Sequence, residues 1–318
     1  MSSRHIVVFG HRGQDGRLLT ESSLKKGISV LGISRTTVDY FSPGLFSPVK
    51  TEPRRSDKEL LESRSPEAVY YLAANHSSSE SNQALAVTSA DIETYFTSNF
   101  SPYSSFLEEA WNLGFEGSIF FASSSQVYGT KSGEILCEES PYNPGSLYGM
   151  AKAQATWLGR KYREEKGLHV YTGILFNHES HLRSPRFLTR KIVEAALRIA
   201  DGSREMLRIG NLSALVDWSL ASDFVEGFQR LMETGMPDEY IFASGVRHSV
   251  QDFTEEVFGA LGLDWRNHVE EDSNLLQNPP VQLGLASTAK LKATINWDPD
   301  TTLERLVRNL LFPEEDIG

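Results

Sequence analysis

Short apolar runs alternate with stretches of helical periodicity over the first half of the chain. The runs that predict buried strands are rich in β-branched and aromatic residues and lie at 5–9, 28–34, 68–72, 118–121 and 170–176. The stretches that predict helices bring apolar side chains to one face and lie at 16–26, 89–113 and 146–166. This alternation predicts an α/β fold, a doubly wound parallel sheet of the Rossmann type with helices on both faces.

The pattern changes after residue 176, where helical periodicity dominates. Helices are predicted at 185–200, 221–234, 251–262 and 301–311, with short strand-like runs at 206–209 and 240–243. We therefore predict a dinucleotide-binding domain over 1–175 and a smaller α/β C-terminal substrate lobe over 176–318, with some segments returning to the first domain. The lobe would lie over the carboxyl edge of the sheet, where ligands bind in such folds.

Three glycines stand between the first predicted strand and the first predicted helix. Gly10, Gly13 and Gly16 have the spacing Gly-x-x-Gly-x-x-Gly. Glycine permits a tight turn and lets the backbone approach a pyrophosphate, which then lies at the helix N-terminus. The place of these glycines in the fold, more than their spacing, predicts a dinucleotide site. A structural turn without a ligand is the alternative.

Two arginines bear on the choice of dinucleotide. The second predicted strand ends at Ser34-Arg35-Thr36, where a fold selective for NAD usually carries Asp or Glu for the ribose 2′-hydroxyl. Arg35, with Arg12 in the glycine loop, suits a 2′-phosphate instead, and the sequence shows no competing carboxylate there. We expect NADP(H) to be favoured over NAD(H). The alternative is that both arginines are solvated surface groups.

A Ser, a Tyr and a Lys complete a pattern typical of carbonyl chemistry. Tyr148 and Lys152 lie four residues apart on a predicted helix, so the phenol and the ammonium share one face. A nearby ammonium lowers the pKa of a phenol, which allows Tyr to exchange a proton. Ser124 follows the strand at 118–121 and can hold a substrate oxygen meanwhile. Tyr-x-x-x-Lys alone is a weak signal, but the glycine loop upstream strengthens it.

Composition and charge exclude several other functions. The chain has 318 residues, with 31 Lys and Arg against 42 Asp and Glu, and a formal net charge of −11. Nucleic acid needs a clustered basic surface, so we expect no such partner. No run approaches the roughly 20 apolar residues of a membrane span, and the run at 6–9 is too short for a signal peptide core. We expect no membrane association.

Cysteine and histidine usage fits an intracellular enzyme without a metal. The single cysteine, Cys137, excludes an internal disulfide and fits a reducing cytoplasm. Its neighbours are acidic and supply no cation that would activate a thiol, so we do not expect it to be a nucleophile. His76, His178 and His181 lack the spacing of zinc ligands, so no metal site is expected.

Several longer motifs carry a family resemblance. They are Gly13-Gln14-Asp15-Gly16, Val69-Tyr70-Tyr71-Leu72-Ala73-Ala74, Leu175-Phe176-Asn177-His178-Glu179-Ser180, Thr189-Arg190-Lys191-Ile192, and Gly210-Asn211-Leu212 before Asp217-Trp218. With these, the chain resembles the extended branch of the short-chain dehydrogenase/reductase superfamily over nearly its whole length. It is most similar to the group of GDP-mannose 4,6-dehydratase and GDP-4-keto-6-deoxymannose reductase.

The resemblance implies roles for individual residues. Tyr148 would be the general acid/base, Lys152 its partner and Ser124 the family's Ser/Thr. Asn99 begins a stretch that matches the family's Asn-led helix, and Gln126 completes the implied catalytic set. Besides the glycine loop, Arg35, Tyr148 and Lys152, the implied cofactor contacts are Gln14, Asp15, Leu72, Ala73, Ala74, Leu175, Asn177, His178 and Arg183. The implied substrate contacts are Ser124, Gln126, Asn177, Arg186, Arg190 and Lys191.

Three positions depart from the family's dehydratases. Gln126 stands where they carry Glu, and an amide cannot take the C5 proton whose removal dehydration requires. Val216 stands where the family has an Arg, and Asn278-Pro279-Pro280 stands where it has another. Those arginines hold the sugar diphosphate, so their loss weakens the expectation of a GDP-sugar unless Arg183, Arg186 and Arg190 compensate.

These observations favour an NADP-dependent reductase of a 4-keto-6-deoxy nucleotide sugar. A 4,6-dehydratase with a relocated base, for example Glu179 or Glu139, is the second hypothesis, and an epimerase is a weaker third. A non-enzymatic dinucleotide-binding sensor is the last. In the resembled family the helices matching 89–113 and 146–166 pair across a dimer, so we expect a homodimer; simple packing of these helices on the sheet is the alternative.

Overall fold

The computed structural model describes residues 4–45, 47–64, 66–76, 88–130, 133–275, 284–299 and 302–313. Its strands are β1 His5–Phe9, β2 Ser29–Ile33, β3 Thr37–Phe41, β4 Lys50–Pro53, β5 Ala68–Tyr71, β6 Ser118–Ala122, β7 Ile135–Leu136, β8 His169–Leu175, β9 Asn177–Glu179, β10 Leu207–Ile209, β11 Leu215–Leu220, β12 Glu239–Phe242, β13 Arg247–Ser249, β14 Val269–Glu271 and β15 Leu285–Ala286. Its helices are α1 Gln14–Lys25, α2 Asp57–Arg64, α3 Ser89–Asn99, α4 Ser101–Asn112, α5 Leu147–Lys166, α6 Leu188–Ala200, α7 Ala221–Met232, α8 Val250–Ala260, α9 Ala289–Ile295 and α10 Leu303–Leu311.

Eight strands form the main sheet, in the order β12-β8-β6-β5-β1-β2-β3-β4. The six strands from β12 to β2 pair in parallel, and the predicted doubly wound α/β fold is confirmed. β3 and β4 are antiparallel, so the sheet is not parallel throughout as the sequence suggested. The reason lies in the three-residue turn 34–36 after β2, because so short a connection can only return the chain antiparallel.

The predicted helix at 89–113 is two helices. α3 ends at Asn99, and α4 begins at Ser101 with Pro102 in its first turn. Proline has no amide hydrogen and its ring clashes with the preceding turn, so a continuous helix would break at this point. The long helix α5 matches its prediction closely. Its N-terminus is capped by the Ser146 side chain, and it ends at Gly167, which adopts the left-handed conformation.

Separate apolar cores lie on the two faces of the main sheet and in the C-terminal lobe. One sheet face packs on α1 and α7 through Leu19 and Phe228, and the other packs on α4 through Phe106. The lobe has its own core, which includes Ile192 of α6 and Phe253 of α8. α7, β12 and α9 follow residue 176 in sequence but belong to the main sheet and its cores.

A small sheet links the lobe to the carboxyl edge of the main sheet. β9 follows β8 after one residue, leaves the main sheet and pairs with β11, which in turn pairs with β13. Residues 177–179 are thereby fixed beside the carboxyl ends of the parallel strands. In the described ranges, no helix combines the length and the apolar character that crossing a bilayer would require.

Candidate active site

The glycine loop between β1 and α1 forms a tight backbone cradle. Gly10 has a φ of +84°, and a Cβ there would lie 2.8 Å from the backbone nitrogen of Ala73. A Cβ on Gly16 would lie 2.4 Å from the Gly10 carbonyl oxygen. Gly13 is the N-cap of α1, and no side chain among the described residues caps that terminus. The cradle and the uncapped backbone N–H groups therefore fit the pyrophosphate of a dinucleotide.

Gln14 and Asp15 connect the glycine loop to β9. The Gln14 amide donates to the His178 carbonyl oxygen at 3.0 Å and accepts from the Ser180 hydroxyl at 2.9 Å. The Asp15 carboxylate lies 3.0 Å from His178 Nε2. Burial alone would raise the pKa of Asp15 and lower that of His178, but their mutual attraction outweighs burial and shifts both pKa values the other way. These contacts fix the loop to the lobe.

Arg12 has a carboxylate partner, contrary to the expectation from sequence. Arg12 Nη2 lies 2.7 Å from the carboxylate of Asp39, which is also 2.7 Å from His11 Nε2. The antiparallel pairing of β2 and β3 places Asp39 opposite Gly32, next to the loop, where His11 would collide with any Cβ on Gly32. Arg35 is exposed in the turn between β2 and β3. The guanidinium of Arg12 is thus oriented by Asp39 and remains more than half exposed.

Ser124, Tyr148 and Lys152 are brought together at the carboxyl edge of the sheet. The Ser124 hydroxyl lies close enough to the Tyr148 phenol to influence its pKa. Lys152 is buried, and its Nζ donates to the Ala122 carbonyl oxygen at 2.6 Å and lies 5.8 Å from the centre of the Tyr148 ring. Burial lowers the pKa of Lys152 to about 7. The predicted trio is therefore assembled on α5 and on the turn after β6.

The positive charge of Arg183 acts on the phenol of Tyr148, although the sequence suggested Arg183 only as a contact of the cofactor or substrate. Burial raises the pKa of Tyr148, while the positive charge of Arg183 and the nearby Ser124 hydroxyl act against that rise. Sequence reasoning assigned this role to Lys152. Arg183 also pairs with Glu179 at 3.2 Å. Its place near Tyr148 follows from the turn between β9 and α6, which periodicity does not reveal.

His76 is a site residue that sequence reasoning considered only as a metal ligand. Its Nε2 lies 3.0 Å from Nε2 of Gln126, whose Oε1 accepts from the Ser146 hydroxyl at 2.8 Å. Its ring stands edge-on to Tyr148, with the ring centres 4.6 Å apart, and stacks on Phe187 at 5.6 Å. Burial lowers the pKa of His76 to about 4, aided by the positive charges of Arg183, Lys152 and Arg186. Among the described residues, no cluster of three metal-type ligands includes it.

Asn99 acts on the loop that carries His76. The buried Asn99 side chain accepts from the Asn75 backbone N–H at 2.7 Å and donates to the Asn75 carbonyl oxygen at 3.2 Å. It also donates to the Tyr95 carbonyl oxygen. These bonds fix the backbone immediately before His76. The contacts found for Asn99 are thus those of a positioning residue.

The other expected contacts divide into two groups. Leu72, Ala73, Ala74, Leu175 and Asn177 lie at the carboxyl ends of β5 and β8, beside the cradle, and Asn177 is exposed there. The cations of α6 and the turn before it are more dispersed: Arg190 pairs with Glu194, Lys191 donates to the Arg208 carbonyl oxygen, and Arg186 is exposed. Asn278-Pro279-Pro280 lies outside the described residues, and Val216 pairs with His248 between β11 and β13.

The family of the chain follows from comparison with known sequences. The sequence profile of the family described as GDP-mannose 4,6 dehydratase matches residues 7–310. GDP-mannose 4,6 dehydratase 1 of Arabidopsis thaliana is 32% identical, over 98% of this chain and 89% of its own length. The chain belongs to the GDP-mannose 4,6-dehydratase family. The resemblance seen in the sequence is confirmed, and the chain is an NAD(P)-dependent nucleotide-sugar enzyme of the extended short-chain dehydrogenase/reductase type.

Solved structures of other proteins have the same fold as this chain. RMD from Pseudomonas aeruginosa, complexed with NADPH, superimposes with a TM-score of 0.78 at 19% identity and covers 97% of both chains. UDP-glucose 4-epimerase of Thermus thermophilus, complexed with NAD, gives a TM-score of 0.79 at 20% identity, over 99% of this chain and 100% of its own. These two neighbours carry different dinucleotides, so their likeness shows the fold and leaves the choice of cofactor to the residues of this chain.

Proposed function

We propose that this protein reduces a 4-keto-6-deoxy sugar nucleotide, with GDP as the favoured nucleotide, by NADPH-dependent hydride transfer to C4. The observation that carries the proposal is the assembled set of Ser124, Tyr148 and Lys152 beside Gln126. An amide has no basic group with which to remove the C5 proton during dehydration. Hydride transfer at C4 needs no base at that position.

The residues of the glycine loop fit the cofactor. NADPH, when bound, supplies the hydride. Backbone N–H groups at the start of α1 would hold its pyrophosphate, and the absence of a Cβ at Gly10 and Gly16 keeps the loop narrow enough for that contact. The contacts of Gln14 and Asp15 with His178 of β9 fix this loop relative to the lobe, which would hold the sugar nucleotide.

The proton chemistry follows from the groups around Tyr148. The Tyr148 hydroxyl would donate its proton to the ketone oxygen as hydride reaches C4, and Ser124 would hold that oxygen. The charge of Arg183 acts on the phenol and favours the phenolate that remains. Lys152 has a pKa of about 7, so it can give up a proton near neutral pH and restore the phenol.

A 4,6-dehydratase is the second candidate, and two observations favour it. The family to which the chain belongs is described as a dehydratase, and an imidazole, His76, lies against Gln126. The bases suggested from sequence are less suitable: the buried Glu179 accepts from Thr189 and pairs with Arg183, and Glu139 is exposed after β7. A dehydratase would consume GDP-mannose without net consumption of NADPH.

Two substrates separate these functions. Purified protein is incubated with NADPH and either GDP-mannose or GDP-4-keto-6-deoxymannose, while NADPH absorbance and the sugar nucleotides are followed. We expect NADPH loss with the ketosugar alone, reduced at least ~100-fold in Tyr148→Phe. Conversion of GDP-mannose without NADPH loss would establish the dehydratase instead. Full turnover by Tyr148→Phe would contradict the assigned acid.

The choice of NADP(H) over NAD(H) is also part of the proposal. Arg35 is exposed at the turn after β2, where the ribose of a dinucleotide lies in such folds. Asp39 and Thr37 hold the Arg12 guanidinium at the edge of the same turn. Asp39 is buried beneath this guanidinium and contacts His11, Arg12 and Thr51, so its charge is already satisfied. Both guanidinium groups are therefore suited to a 2′-phosphate.

We also propose that the protein is a homodimer through α3 and α5. Ile92, Met150 and Trp157 on these two helices expose 44%, 42% and 51% of their surface. Large apolar side chains exposed on packed helices are typical of an interface. A reducing compartment such as the cytoplasm suits the single thiol of Cys137.

A further inference from the structure

The His76 imidazole is hydrogen-bonded to the side-chain amide of Gln126, which stands where the family's dehydratases are expected to carry their catalytic base. We propose that His76 is the general base and general acid for the proton on the carbon next to the C4 carbonyl of the bound ketosugar, and that Gln126 positions its ring. The inference rests on the proposed function in one respect, since it needs a C4 ketone held by Tyr148 and Ser124.

The position of His76 relative to Tyr148 is the first argument. The two rings are in edge contact at 4.6 Å between their centres. Tyr148 contacts the oxygen of the reacting carbonyl, and the acidic C–H bonds are on the carbons directly attached to that carbonyl. A ring that touches the phenol is therefore at the distance from which those hydrogens can be reached.

The ring is held from several sides, as a base needs to be. Asn99 fixes the backbone of Asn75 on one side, and Phe187 stacks on the ring face at 5.6 Å with an angle of 13°. Arg183 in turn packs on Phe187, with its guanidinium carbon 3.8 Å from the ring centre. The stack joins the loop after β5 to the turn before α6, which brings both domains to the ring.

Gln126 can serve both charge states of His76. In the neutral ring that acts as the base, Nε2 carries the hydrogen and Nδ1 is the unprotonated nitrogen. Nε2 then donates to the Gln126 oxygen, and rotation of the amide turns its NH₂ towards the Ser146 hydroxyl. When Nδ1 takes up a proton, both ring nitrogens are donors and the bond from Nε2 to the Gln126 oxygen is kept. The Ser146 hydroxyl can donate or accept, so it follows this rotation. A glutamate at 126 would instead hold His76 as the imidazolium and remove its basic nitrogen.

The basicity of His76 is suited to this role. The charged groups that act on it, among the described residues, are the cations Arg183, Lys152 and Arg186. Together with burial they lower its pKa to about 4, close to that of an ordinary carboxylate, about 4.3. The ring is therefore neutral at neutral pH, and its pKa lies in the range of an ordinary carboxylate.

The step conserves atoms and electrons without a further reagent. The C–H bond breaks, its proton passes to the unprotonated Nδ1 of His76, and the electron pair forms the carbon–carbon double bond of an enolate. The negative charge moves to the C4 oxygen, where Tyr148 and Ser124 donate hydrogen bonds. Return of the proton from the imidazolium restores the ketone. In D₂O the returning hydron is a deuteron, so the substrate acquires deuterium without oxidation or reduction.

Deuterium exchange tests the inference. GDP-4-keto-6-deoxymannose is incubated in D₂O with the protein and NADP⁺, which cannot reduce it, and loss of the H3 or H5 signal is followed by NMR. We expect the wild type to exchange one position, and His76→Gln to exchange at least ~100-fold more slowly. His169→Asn, at the exposed start of β8, is the matched control and should exchange at the wild-type rate.

A pH profile separates catalysis from simple support of the site. Gln126→Glu should shift the acid limb of the exchange rate to higher pH by about one unit or more, because the new carboxylate raises the pKa of His76. Exchange at the wild-type rate by His76→Gln, or an acid limb that Gln126→Glu leaves in place, would overturn the inference.

The proposed function and this inference fail in different ways. Turnover of NADPH on the ketosugar without exchange in NADP⁺ would overturn the role of His76 and leave the reductase intact. Exchange without NADPH turnover would support His76 and overturn the reductase. If neither NADPH turnover nor deuterium exchange is observed, both the reductase and the role of His76 are overturned.

Discussion

The groups that decide the chemistry of this site titrate away from their usual ranges because they are buried together. Burial lowers the pKa of Lys152 to about 7 and that of His76 to about 4, and it raises the pKa of Tyr148. Gln126 was visible in the sequence, but its partner His76 was not, because the two are 50 residues apart and meet only through the pairing of β5 with β6. The effect of Arg183 on Tyr148 was also not visible in the sequence, because Arg183 belongs to the turn between β9 and α6.

At the residue scale, the pKa of His76 predicts an acid sensitivity of the fold. An unfolded histidine takes up a proton near pH 6.5, while native His76 does so near pH 4. The unfolded state therefore binds more protons between these values, and stability falls as the pH drops from 6.5 to 4. This difference in the pKa of His76 changes the free energy of unfolding by up to about 3 kcal/mol. Urea unfolding at about pH 7 and about pH 4.5 should show a smaller loss in His76→Gln than in the wild type.

The control for this measurement is another histidine. His169→Asn alters an exposed side chain and should lose as much stability as the wild type between the two pH values. Equal losses in the wild type and in His76→Gln would contradict the assigned pKa. The comparison between variants removes the contributions of the other titrating groups, which the variants share with the wild type.

At the scale of elements, the hairpin of β3 and β4 is the largest departure from what the sequence predicts. The central strands β1, β2, β5, β6 and β8 could be predicted because each is a run of apolar residues buried on both faces. β4 is polar and largely exposed, so it carries no such signal. The pairing of Asp39 with Arg12 depends on this hairpin, since it brings residues 27 positions apart into contact.

The position of Arg35 in the turn between β2 and β3 allows the preference for NADP(H) to be tested. Arg35→Ala should weaken NADPH binding by about tenfold and leave NADH binding almost unchanged, because only NADPH carries the 2′-phosphate. Titration of cofactor fluorescence measures both constants. Arg204→Ala removes the same charge from an exposed turn after α6 and should change neither constant. Equal weakening for the two cofactors would contradict the role of Arg35.

At the scale of the whole molecule, α3 and α5 carry exposed apolar side chains, which we assign to contact with a second copy. Trp157 is half exposed although it stacks on Tyr142, at 5.7 Å between ring centres. The apolar pattern of these helices was visible in the sequence, but periodicity does not tell whether a second copy or the sheet covers a given face. The described contacts leave Trp157 and Met150 on the outside.

A charge at this surface tests the homodimer. The wild type should behave in light scattering as twice the chain mass of 35.5 kDa. Trp157→Arg should give the mass of one chain, because an unpaired guanidinium would be buried at the interface. Met206→Arg, which alters an equally exposed apolar residue in the lobe, should remain dimeric. A wild-type protein with the mass of one chain would contradict the proposal.

The distribution of the main sheet over the sequence has a consequence for biosynthesis. β12 is the outermost strand beside β8, and Phe228 and Phe242 pack against Phe120 in the interior of the sheet. A ribosome that has delivered only residues 1–175 has made the cofactor loop and Tyr148, but the edge of β8 and the ring of Phe120 are still uncovered. The nascent chain must therefore emerge beyond residue 242 before the main sheet can be completed. Until then it presents an unpaired strand edge and an apolar face, which are the features that chaperones bind.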